Sequence, residues 1–356
     1  MRKVLMAMSG GVDSSVSAYI LKSQGYDVIG ATLKLFDKEE NCNDNKTCCS
    51  LNDIDDARCV ANKLGIPFYV FNFKNEFKKS VISKFVNSYL NGETPNPCVD
   101  CNKFIKFDKM FRRCNELGCD FIATGHYAVI EKDNYTGRYL LKKANDLNKD
   151  QSYFLYSLTQ DQLKHTLFPI GGLDKIKDVR KIALENGFIN SKKPDSQDIC
   201  FISDGNYSNF IKNYIDHEIP YGNFIDTNGH ILGKHSGIVN YTIGQRRGLG
   251  LSLKNPMYVK EINAETNDIV LCEEENLYRK TFTAKDINLI SVDFIDKPLK
   301  LKVKTRYRQK EQLATITQTD NNRLNIELDV PQKAITKGQA LVMYDENIVV
   351  GGGTIE

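Results

Sequence analysis

Long apolar runs are absent from this chain of 356 residues. The run at residues 4–8 is five residues long and ends before Gly10, which is too short for a signal peptide or a membrane span. We therefore expect a cytoplasmic protein without a membrane segment. Gly-x-x-x-x-Gly-Lys-Ser/Thr and Gly-x-Gly-x-x-Gly are also absent, so γ-phosphate transfer and dinucleotide binding lose their usual support.

Composition sets broad limits on the class of protein. Hydrophobic residues make up 41% of the chain, enough for two or three globular domains, and the net charge of +3 says little about partners. Ten cysteines without a secretory signal favour buried thiols, metal ligands or catalytic sulfur over a disulfide framework. Cys42, Cys48 and Cys49 are close enough in sequence to hold a metal, but no histidine lies near them, which disfavours that site.

The texture of the sequence changes along the chain. Strand-like and helix-like segments alternate in the first part, which predicts an α/β domain with a parallel, doubly wound sheet covered on both faces. Beyond about residue 220, short alternating runs and turn signals predict β-structure. We expect a catalytic domain at residues 1–210, a small mixed central domain at 211–279 and a β-barrel at 280–356.

A glycine-paired, hydroxyl-rich turn follows the first predicted strand. It reads Ser9-Gly10-Gly11-Val12-Asp13-Ser14-Ser15 and opens a helix, whose amino terminus favours anions. Asp13 would repel phosphate unless a cation intervened, so we expect Mg²⁺ there. A capped strand-to-helix turn is the alternative interpretation.

Two cysteine segments are candidates for sulfur chemistry. Cys101 lies near a predicted helix start with Lys103 and Lys106 close by, a setting that stabilises thiolate, although a lone Cys-x-x-Cys is often structural. Cys200 begins an apolar run, which on its own is more typical of a buried core thiol.

A basic pattern marks the predicted barrel. Six cations alternate with mostly apolar residues, which on a strand would place them all on one face. Phosphate contact is favoured over a merely solvated face, because aligned like charges repel unless an anion relieves them. Arg246 and Arg247, in a glycine-rich loop, are weaker candidates. The six are Lys300, Lys302, Lys304, Arg306, Arg308 and Lys310.

Several segments together resemble the tRNA-specific 2-thiouridylase family of the ATP pyrophosphatase (PP-loop) superfamily. Their order and number, across nearly the whole chain, carry the resemblance. They are residues 9–15, Thr94-Pro95-Asn96-Pro97, Cys101-Asn102-Lys103, Ile105-Lys106-Phe107, Gly125-His126-Tyr127, residues 149–155, the Cys200 segment, residues 241–249, Arg306-Tyr307 and Lys337-Gly338-Gln339.

The resemblance implies an adenine nucleotide α-hydrolase-like fold and a reaction. ATP, with Mg²⁺, adenylates the 2-carbonyl oxygen of the wobble uridine in tRNA, and sulfur from a cysteine persulfide replaces it, releasing AMP and pyrophosphate. A sulfur-donor protein, either a cysteine desulfurase or a persulfide relay, is the implied partner besides tRNA, and we expect a monomer.

Roles carry over by matching positions. Cys200 matches the persulfide carrier, Cys101 the thiol that frees its sulfur, and Asp13 completes the catalytic set. The implied ATP contacts are Ala7, Met8, Ser9, Gly10, Gly11, Val12, Asp13, Ser14, Leu33 and Gly125. The implied tRNA contacts are Asn96, Pro97, Cys98, His126, Lys149, Asp150, Gln151, Arg306, Tyr307 and Gln339.

One departure leaves alternatives open. This chain has Cys98 where the family often has aspartate, so Cys98, Cys101 and Cys200 could instead ligate a [4Fe-4S] cluster. An amide-forming PP-loop enzyme is a second alternative, but it would not need Cys101 and Cys200. A nonenzymatic RNA-binding nucleotide sensor is a third, and Asp13 with both cysteines disfavours it.

Overall fold

The computed structural model describes residues 1–36, 51–195, 198–202 and 205–356. Cys42, Cys48 and Cys49, the candidate metal ligands, lie outside the described residues. The chain divides into two compact units. The first contains residues 1–81, 98–205 and 347–350, and the second contains residues 82–97, 206–346 and 351–356.

Helices and strands alternate in the first part of the chain, and strands predominate later. Within the described ranges, no helix is long and apolar enough to cross a membrane. Up to residue 185 the elements are β1 (Lys3–Ala7), α1 (Val12–Ser23), β2 (Asp27–Lys34), α2 (Leu51–Leu64), β3 (Phe68–Asn72), α3 (Lys74–Phe77), a π-helical segment (Lys78–Ile82), α4 (Ser83–Leu90), α5 (Pro97–Asp100), a π-helical segment (Cys101–Lys109), α6 (Met110–Glu116), β4 (Phe121–Ala123), β5 (Ala128–Lys132), β6 (Tyr139–Lys143), a 3₁₀ turn (Ser152–Leu155), α7 (Gln160–Lys164), β7 (Thr166–Leu167), a π-helical segment (Lys175–Val179) and α8 (Arg180–Glu185). The rest are α9 (Tyr207–Tyr214), β8 (Gly222–Ile225), β9 (Ile231–His235), a 3₁₀ turn (Ile238–Asn240), β10 (Tyr258–Asn263), β11 (Asp268–Cys272), a 3₁₀ turn (Glu274–Leu277), β12 (Tyr278–Leu289), β13 (Leu299–Lys304), β14 (Gln312–Asp320), β15 (Arg323–Lys333), β16 (Ala340–Asp345) and β17 (Ile348–Ile355).

A five-stranded parallel sheet organises the first unit. Its order is β3-β2-β1-β4-β7, which confirms the predicted α/β fold. The middle of β1 is fully buried, and so is nearly all of β2, as expected for apolar strands covered on both faces. The chain builds outward from β1 in both directions, so β1 and β4 meet at a topological switch point. Such a point opens a crevice beyond the carboxyl ends of the strands.

Apolar residues spaced four apart predict a helix with one apolar face at about residues 75–90, and the structure has it as three consecutive segments, α3, a π-helical turn and α4. The apolar face proposed for it is buried, because Phe77, Val81, Phe85 and Tyr89 are each at most 7% exposed. A π-helical turn inserts an extra residue per turn and shifts the buried face, which explains why the apolar positions deviate from strict helical spacing.

The second unit is mostly β-structure, as its sequence indicates. One sheet has four strands in the order β10-β11-β8-β9. Six later strands form an antiparallel barrel in the order β12-β15-β14-β13-β16-β17. The barrel closes where β12 pairs with β17. Closure leaves no unpaired edge, and the inward residues of β14, Ala314 and Ile316, are fully buried. The predicted C-terminal barrel is therefore confirmed.

The prediction of six cations on one strand face was wrong in its second half. Strand β13 ends at Lys304, and its pairing with β14 ends at Val303 opposite Gln312. The remaining residues form the β13–β14 connection, because Thr305 turns inward, is 1% exposed and donates to Gln309. That connection contains neither glycine nor proline, so the alternating pattern continued through it without a turn signal.

Arg306, one of those six cations, forms hydrogen bonds with other segments of the second unit. Its guanidinium donates to the carbonyls of Ile243 and Ala334, at 3.3 and 3.1 Å, and to the Thr336 hydroxyl. These hydrogen bonds connect three separate segments of the unit, and the Ala334 carbonyl also accepts from the Thr336 hydroxyl at 2.9 Å. Its predicted contact with tRNA stays a prediction.

Replacing Arg306 should destabilise this unit. We expect Arg306→Met to lower the free energy of unfolding by about 1–3 kcal/mol, because the Ile243 carbonyl and the Thr336 hydroxyl lose this donor. Arg308→Met is the matched control, since Arg308 is exposed on the same connection. Urea titration followed by circular dichroism measures both, and equal midpoints for the two variants would contradict the structural role.

Candidate active site

The turn after β1 is held in shape by its own hydroxyls. Ser14 Oγ donates to the Gly11 carbonyl at 3.0 Å and accepts from the Ser9 amide at 3.2 Å, and Ser15 Oγ donates to the same carbonyl at 3.1 Å. The helix α1 begins at Val12, within this turn. The turn thus lies at a helix amino terminus and at the switch point of the sheet, where backbone amides attract anions.

Two glycines allow close packing around this turn. Gly10 has a φ of +73°, and a Cβ built on it would lie 2.2 Å from the Asp53 carbonyl oxygen. Gly125 follows β4, and a Cβ there would lie 2.8 Å from the Ser14 backbone nitrogen. Only glycine fits either position. Glycine at these two predicted ATP-contact positions therefore lets the Asp53 and Ser14 backbones pack closely against the turn.

Asp13 has a protein cation beside it. Its Oδ1 accepts from Lys175 Nζ at 2.5 Å and from the Tyr127 hydroxyl at 2.8 Å. Burial and the Asp13 carboxylate raise the pKa of Tyr127 strongly, so the hydroxyl stays protonated as a donor. Lys175 is 1% exposed. Among the described residues, a buried lysine therefore supplies a cation at Asp13. The Mg²⁺ ion expected there stays a prediction.

Asp195 is surrounded by cations. Its Oδ1 contacts Lys175 Nζ at 3.0 Å and Arg180 Nη2 at 3.1 Å, and its Oδ2 contacts Lys149 Nζ at 2.8 Å. Partial burial opposes ionisation, yet hydrogen bonds from Lys149 and Lys175 outweigh it and lower the pKa of Asp195. One ammonium, that of Lys175, therefore joins the carboxylates of Asp13 and Asp195.

The residues before Asp195 also touch the loop. Asn190 Nδ2 donates to the Gly10 carbonyl and to Ser15 Oγ, both at 2.9 Å. Lys193 Nζ lies 3.3 Å from the Gly10 carbonyl and 2.6 Å from the Asp53 carboxylate. Among the described residues, nothing bonds Asn190 Oδ1, although it is buried. A buried acceptor without a described partner therefore lies beside the loop.

Cys101 begins the π-helical segment that continues α5. The helix starts at Pro97, so Cys98 lies in its first turn and Cys101 just beyond it, close to the predicted helix start. Cys98 is exposed, while Cys101 and Cys200 are partly buried. Cys200 is therefore not the fully buried core thiol that its sequence setting alone favours. The next residue, Asn102, is 2% exposed and donates to the Phe154 carbonyl at 3.0 Å.

The three thiols do not form a ligand cluster. Within the ranges that the structure describes, no group of three or more histidine, cysteine, aspartate or glutamate side chains is arranged to hold a metal ion. Cys98, Cys101 and Cys200 therefore do not converge on a single metal ion, and the [4Fe-4S] alternative stays a hypothesis.

His126 is buried and neutral. Its Nδ1 is hydrogen-bonded to Thr124 Oγ1 at 2.6 Å, and Nε2 lies 3.4 Å from Lys106 Nζ. Burial lowers the pKa of His126 well below 6.5, and the Lys106 ammonium lowers it further. A neutral imidazole can accept a hydrogen bond beside a cation but carries no charge to attract phosphate.

The predicted tRNA loop at residues 149–151 makes internal contacts. Lys149 pairs with Asp195, and this hydrogen bond raises the pKa of Lys149. Asp150 accepts from the Ala144 and Ser152 amides, and Gln151 accepts from the Tyr127 amide at 3.0 Å. These residues order the loop, and their contact with tRNA stays a prediction.

The remaining predicted tRNA contacts belong to the second unit. Gln339 donates to the Thr94 carbonyl at 2.8 Å, which fixes the strand-like approach to Asn96 and Pro97. Tyr307 is partly buried, with Lys304 Nζ 5.4 Å from its ring centroid. Their roles toward tRNA stay predictions.

Four residues of the loop's surroundings were not identified as site residues from sequence. Lys175, Asn190, Lys193 and Asp195 come from helices and turns more than 150 residues after the loop. Lysine and asparagine are common on surfaces, so nothing in their local pattern indicates burial. Asp195 lies five residues before Cys200, and this proximity was the one sequence signal that could have identified Asp195 as a site residue.

A glycine-rich turn at a helix start, on the switch point of a parallel sheet, defines a nucleotide-binding α/β domain. Comparison with known proteins agrees. The tRNA methyl transferase HUP domain family matches residues 2–204, the corresponding PRC-barrel domain matches 208–273, and the aminomethyltransferase β-barrel domain matches 279–355.

Full-length relatives give the family. A tRNA-specific 2-thiouridylase MnmA of Clostridioides difficile is 54% identical, covering 100% of this chain and 98% of the relative. Those of Acetivibrio thermocellus and Clostridium beijerinckii are 52% and 51% identical, each covering 100% of this chain and 99% of the relative. The chain belongs to the tRNA-specific 2-thiouridylase family, which confirms the resemblance inferred from its motifs.

The requirement for glycine at position 10 can be tested. Gly10→Ala and Gly118→Ala both place alanine in left-handed backbone, with φ of 73° and 64°, but a Cβ on Gly118 meets nothing within 4 Å. Each variant should lose about 1–2 kcal/mol from backbone strain. Gly10→Ala should lose more and should also lose Mg-ATP binding. Urea unfolding and calorimetric titration measure these effects, and matching results for both variants would rule out the close approach to Asp53.

His126 predicts a pH dependence of stability. Its pKa is lower in the folded state than in the unfolded state, so below 6.5 the unfolded chain binds the extra proton. Stability is therefore retained above 6.5 and falls as the pH drops, by up to about 1.4 kcal/mol per pH unit. His126→Gln should lose less stability than the wild type between about pH 7.5 and about pH 5.5. The exposed His217, as His217→Gln, is the control, and an unchanged slope in His126→Gln would refute the assignment.

Proposed function

We propose that this protein is an ATP-dependent tRNA-uridine 2-sulfurtransferase that thiolates the wobble uridine. The observation that carries the proposal is one unit in which the pyrophosphate-type loop is attached to the segment leading to Cys200. Family membership supports the substrate class, since the relatives are named tRNA-specific 2-thiouridylases.

The loop is suited to the pyrophosphate of ATP. Its bare glycine backbone and the start of α1 offer amide donors, and Lys175 balances Asp13 so that an anion is not repelled. We propose that ATP binds here and that the uracil 2-carbonyl oxygen attacks its α-phosphorus, releasing pyrophosphate and forming an adenylated base. Mg²⁺, when bound, would stabilise charge on the departing pyrophosphate.

The cysteines would then supply the incoming atom. In the proposed step, a persulfide on Cys200 carries the outer sulfur, and Cys101 attacks the inner sulfur so that the outer one is transferred to C2. AMP leaves with the former carbonyl oxygen, and Cys101 and Cys200 end as a disulfide that a thiol reductant must reopen. The start of the helix near Cys101 favours the thiolate that this attack needs.

The second unit is the proposed tRNA platform. Lys300 and Lys302 lie on β13, and Arg246 and Arg247 precede the glycine-rich turn at Gly248. Such cations would position tRNA through its phosphates, while the target uridine is recognised as a flipped base near Asn96 and Pro97. The sulfur would come from a donor protein, either a cysteine desulfurase or a persulfide relay.

One assay tests the reaction. Purified protein is incubated with ATP, Mg²⁺, a persulfide donor and unmodified tRNA, and the digested nucleosides are analysed by mass spectrometry. We expect 2-thiouridine from the wild type and background levels from Cys101→Ser and from Cys200→Ser, because each removes one sulfur of the transfer. Cys59→Ser, an exposed thiol on α2, should retain full activity.

The outcomes separate the parts of the proposal. Product that persists in both cysteine variants would refute the sulfur roles but leave the activity intact. If the wild type makes no 2-thiouridine but still releases AMP when tRNA is present, a nucleophile other than sulfur is indicated. The protein would then be an amide-forming relative.

A further inference from the structure

The thiol of Cys98 takes no part in the sulfur transfer proposed above, yet it lies one helical turn before Cys101. The backbone stays helical at Asp100, with φ of −63° and ψ of −40°, so the helix that starts at Pro97 continues directly into the π-helical segment. Helical Cα atoms three residues apart are about 5 Å from each other. Side chains at that spacing share one face of the helix. Cys98 and Cys101 are therefore neighbours on the same helix surface.

This surface is the accessible side of the helix start. Cys98 is exposed and Cys101 is partly buried, whereas the two residues between them, Val99 and Asp100, are both buried. Asn102, which follows Cys101, is buried as well. The helix thus packs through its other sides and leaves the Cys98 thiol open to molecules in solution.

The pair has the geometry and the setting for thiol–disulfide exchange. A Cα separation of about 5 Å falls within the range of roughly 4.4–6.8 Å that a disulfide spans. Both cysteines lie near the start of a helix, which favours the thiolate that attacks in an exchange step. Cys98 and Cys101 can therefore form a disulfide with each other on the existing helix.

The other described cysteines are less suited to exchange with Cys101. Burial is the largest cause of a raised pKa in three of them, namely Cys114, Cys119 and Cys272. Thiols of this kind are poor nucleophiles at neutral pH. Cys59 is exposed, but it lies on α2, away from the helix that carries Cys101 in the chain. Among the cysteines that the structure describes, Cys98 thus combines exposure with a place beside Cys101.

The proposed sulfur transfer creates a need for such a thiol. It ends with a disulfide between Cys101 and Cys200, which must be reopened before the next turnover. Both cysteines are partly buried, so a thiol from solution reaches their disulfide less readily than an exposed one. A thiol on the same helix surface as Cys101 avoids this limit.

We propose that Cys98 is the resolving thiol of the catalytic cycle. The inference rests on the proposed function, because it concerns the disulfide that the transfer leaves behind. The Cys98 thiolate attacks Sγ of Cys101, so that a Cys98–Cys101 bond forms and the Cys101–Cys200 bond breaks. Cys200 leaves as a thiolate and takes up the proton that Cys98 gave up. An external dithiol then reduces the exposed Cys98–Cys101 disulfide with two electrons and two protons and is itself oxidised to a disulfide.

Peptide mapping tests the exchange without tRNA or ATP. The full-length protein is oxidised with diamide, its remaining thiols are blocked with N-ethylmaleimide, and tryptic peptides are analysed by mass spectrometry. Cleavage after Lys84 and Lys103 leaves Cys98 and Cys101 in one peptide and Cys200 in another. We expect the wild type to carry its disulfide within the first peptide. Cys59→Ser, which removes the other exposed thiol, should give the same map.

Repeated turnover gives the functional test. Formation of 2-thiouridine is followed with tRNA in excess and with dithiothreitol kept low. Cys98→Ser should form the first equivalent of product and then slow by about tenfold or more, because the Cys101–Cys200 disulfide persists. High dithiothreitol should restore its rate by reducing that disulfide directly, and Cys59→Ser should turn over as the wild type does at either concentration.

The outcomes that contradict the inference are distinct from failure of the proposed function. Wild-type protein without the Cys98–Cys101 disulfide, or Cys98→Ser that sustains turnover at low dithiothreitol, would overturn it. So would loss of the first equivalent of product in Cys98→Ser, which would assign Cys98 to the transfer itself or to a cluster. If the wild type makes no 2-thiouridine at any dithiothreitol concentration, the proposed function fails, and with it the disulfide that Cys98 would reopen.

Discussion

The buried ammonium of Lys175 is the interaction on which the candidate site depends. A charge that is 1% exposed is stable only if it is paired, and Lys175 is paired twice, with Asp13 on the loop and with Asp195 in the segment at residues 190–195. Removing either partner would leave charge unbalanced in a poorly solvated place, which costs several kcal/mol in comparable buried pairs. The ammonium of Lys175, which belongs to neither segment, therefore links the loop at Asp13 to the segment at Asp195.

The sheet explains why residues so distant in sequence meet. Strands β1 and β4 are neighbours although more than 110 residues separate them, so the turns after both strands open into one crevice. Gly125 lies against Ser14 for this reason. Helix α8 contacts α1 in the same layer. This contact brings Asn190, a few residues after the end of α8, to the Gly10 carbonyl. The site follows from the topology of the sheet.

Sequence predicted the parts of the fold that have local signals. The turn at Gly10 and Gly11, the parallel sheet and the barrel were predicted because glycine pairs and apolar periodicity report local geometry. The basic strand was extended too far, because the connection after Lys304 has no turn residue. Lys175 was missed, because a buried lysine has the same local pattern as a solvated one and its partners are defined only by long-range packing. Family resemblance assigned roles to Cys101 and Cys200, which periodicity alone could not.

The charged side chains described around the loop are paired with one another, and this bears on how ATP would bind. Within the described part of the chain, ion pairs join the carboxylates of Asp13, Asp53, Asp56 and Asp195 to the cations of Lys149, Lys175, Arg180 and Lys193. Lys175 offsets part of the repulsion between a bare triphosphate and Asp13, and helix and amide dipoles would have to offset the rest. A triphosphate that arrives with its own divalent cation avoids that cost. Charge balance thus gives a physical reason to expect Mg²⁺ with the nucleotide rather than a metal resident on the protein.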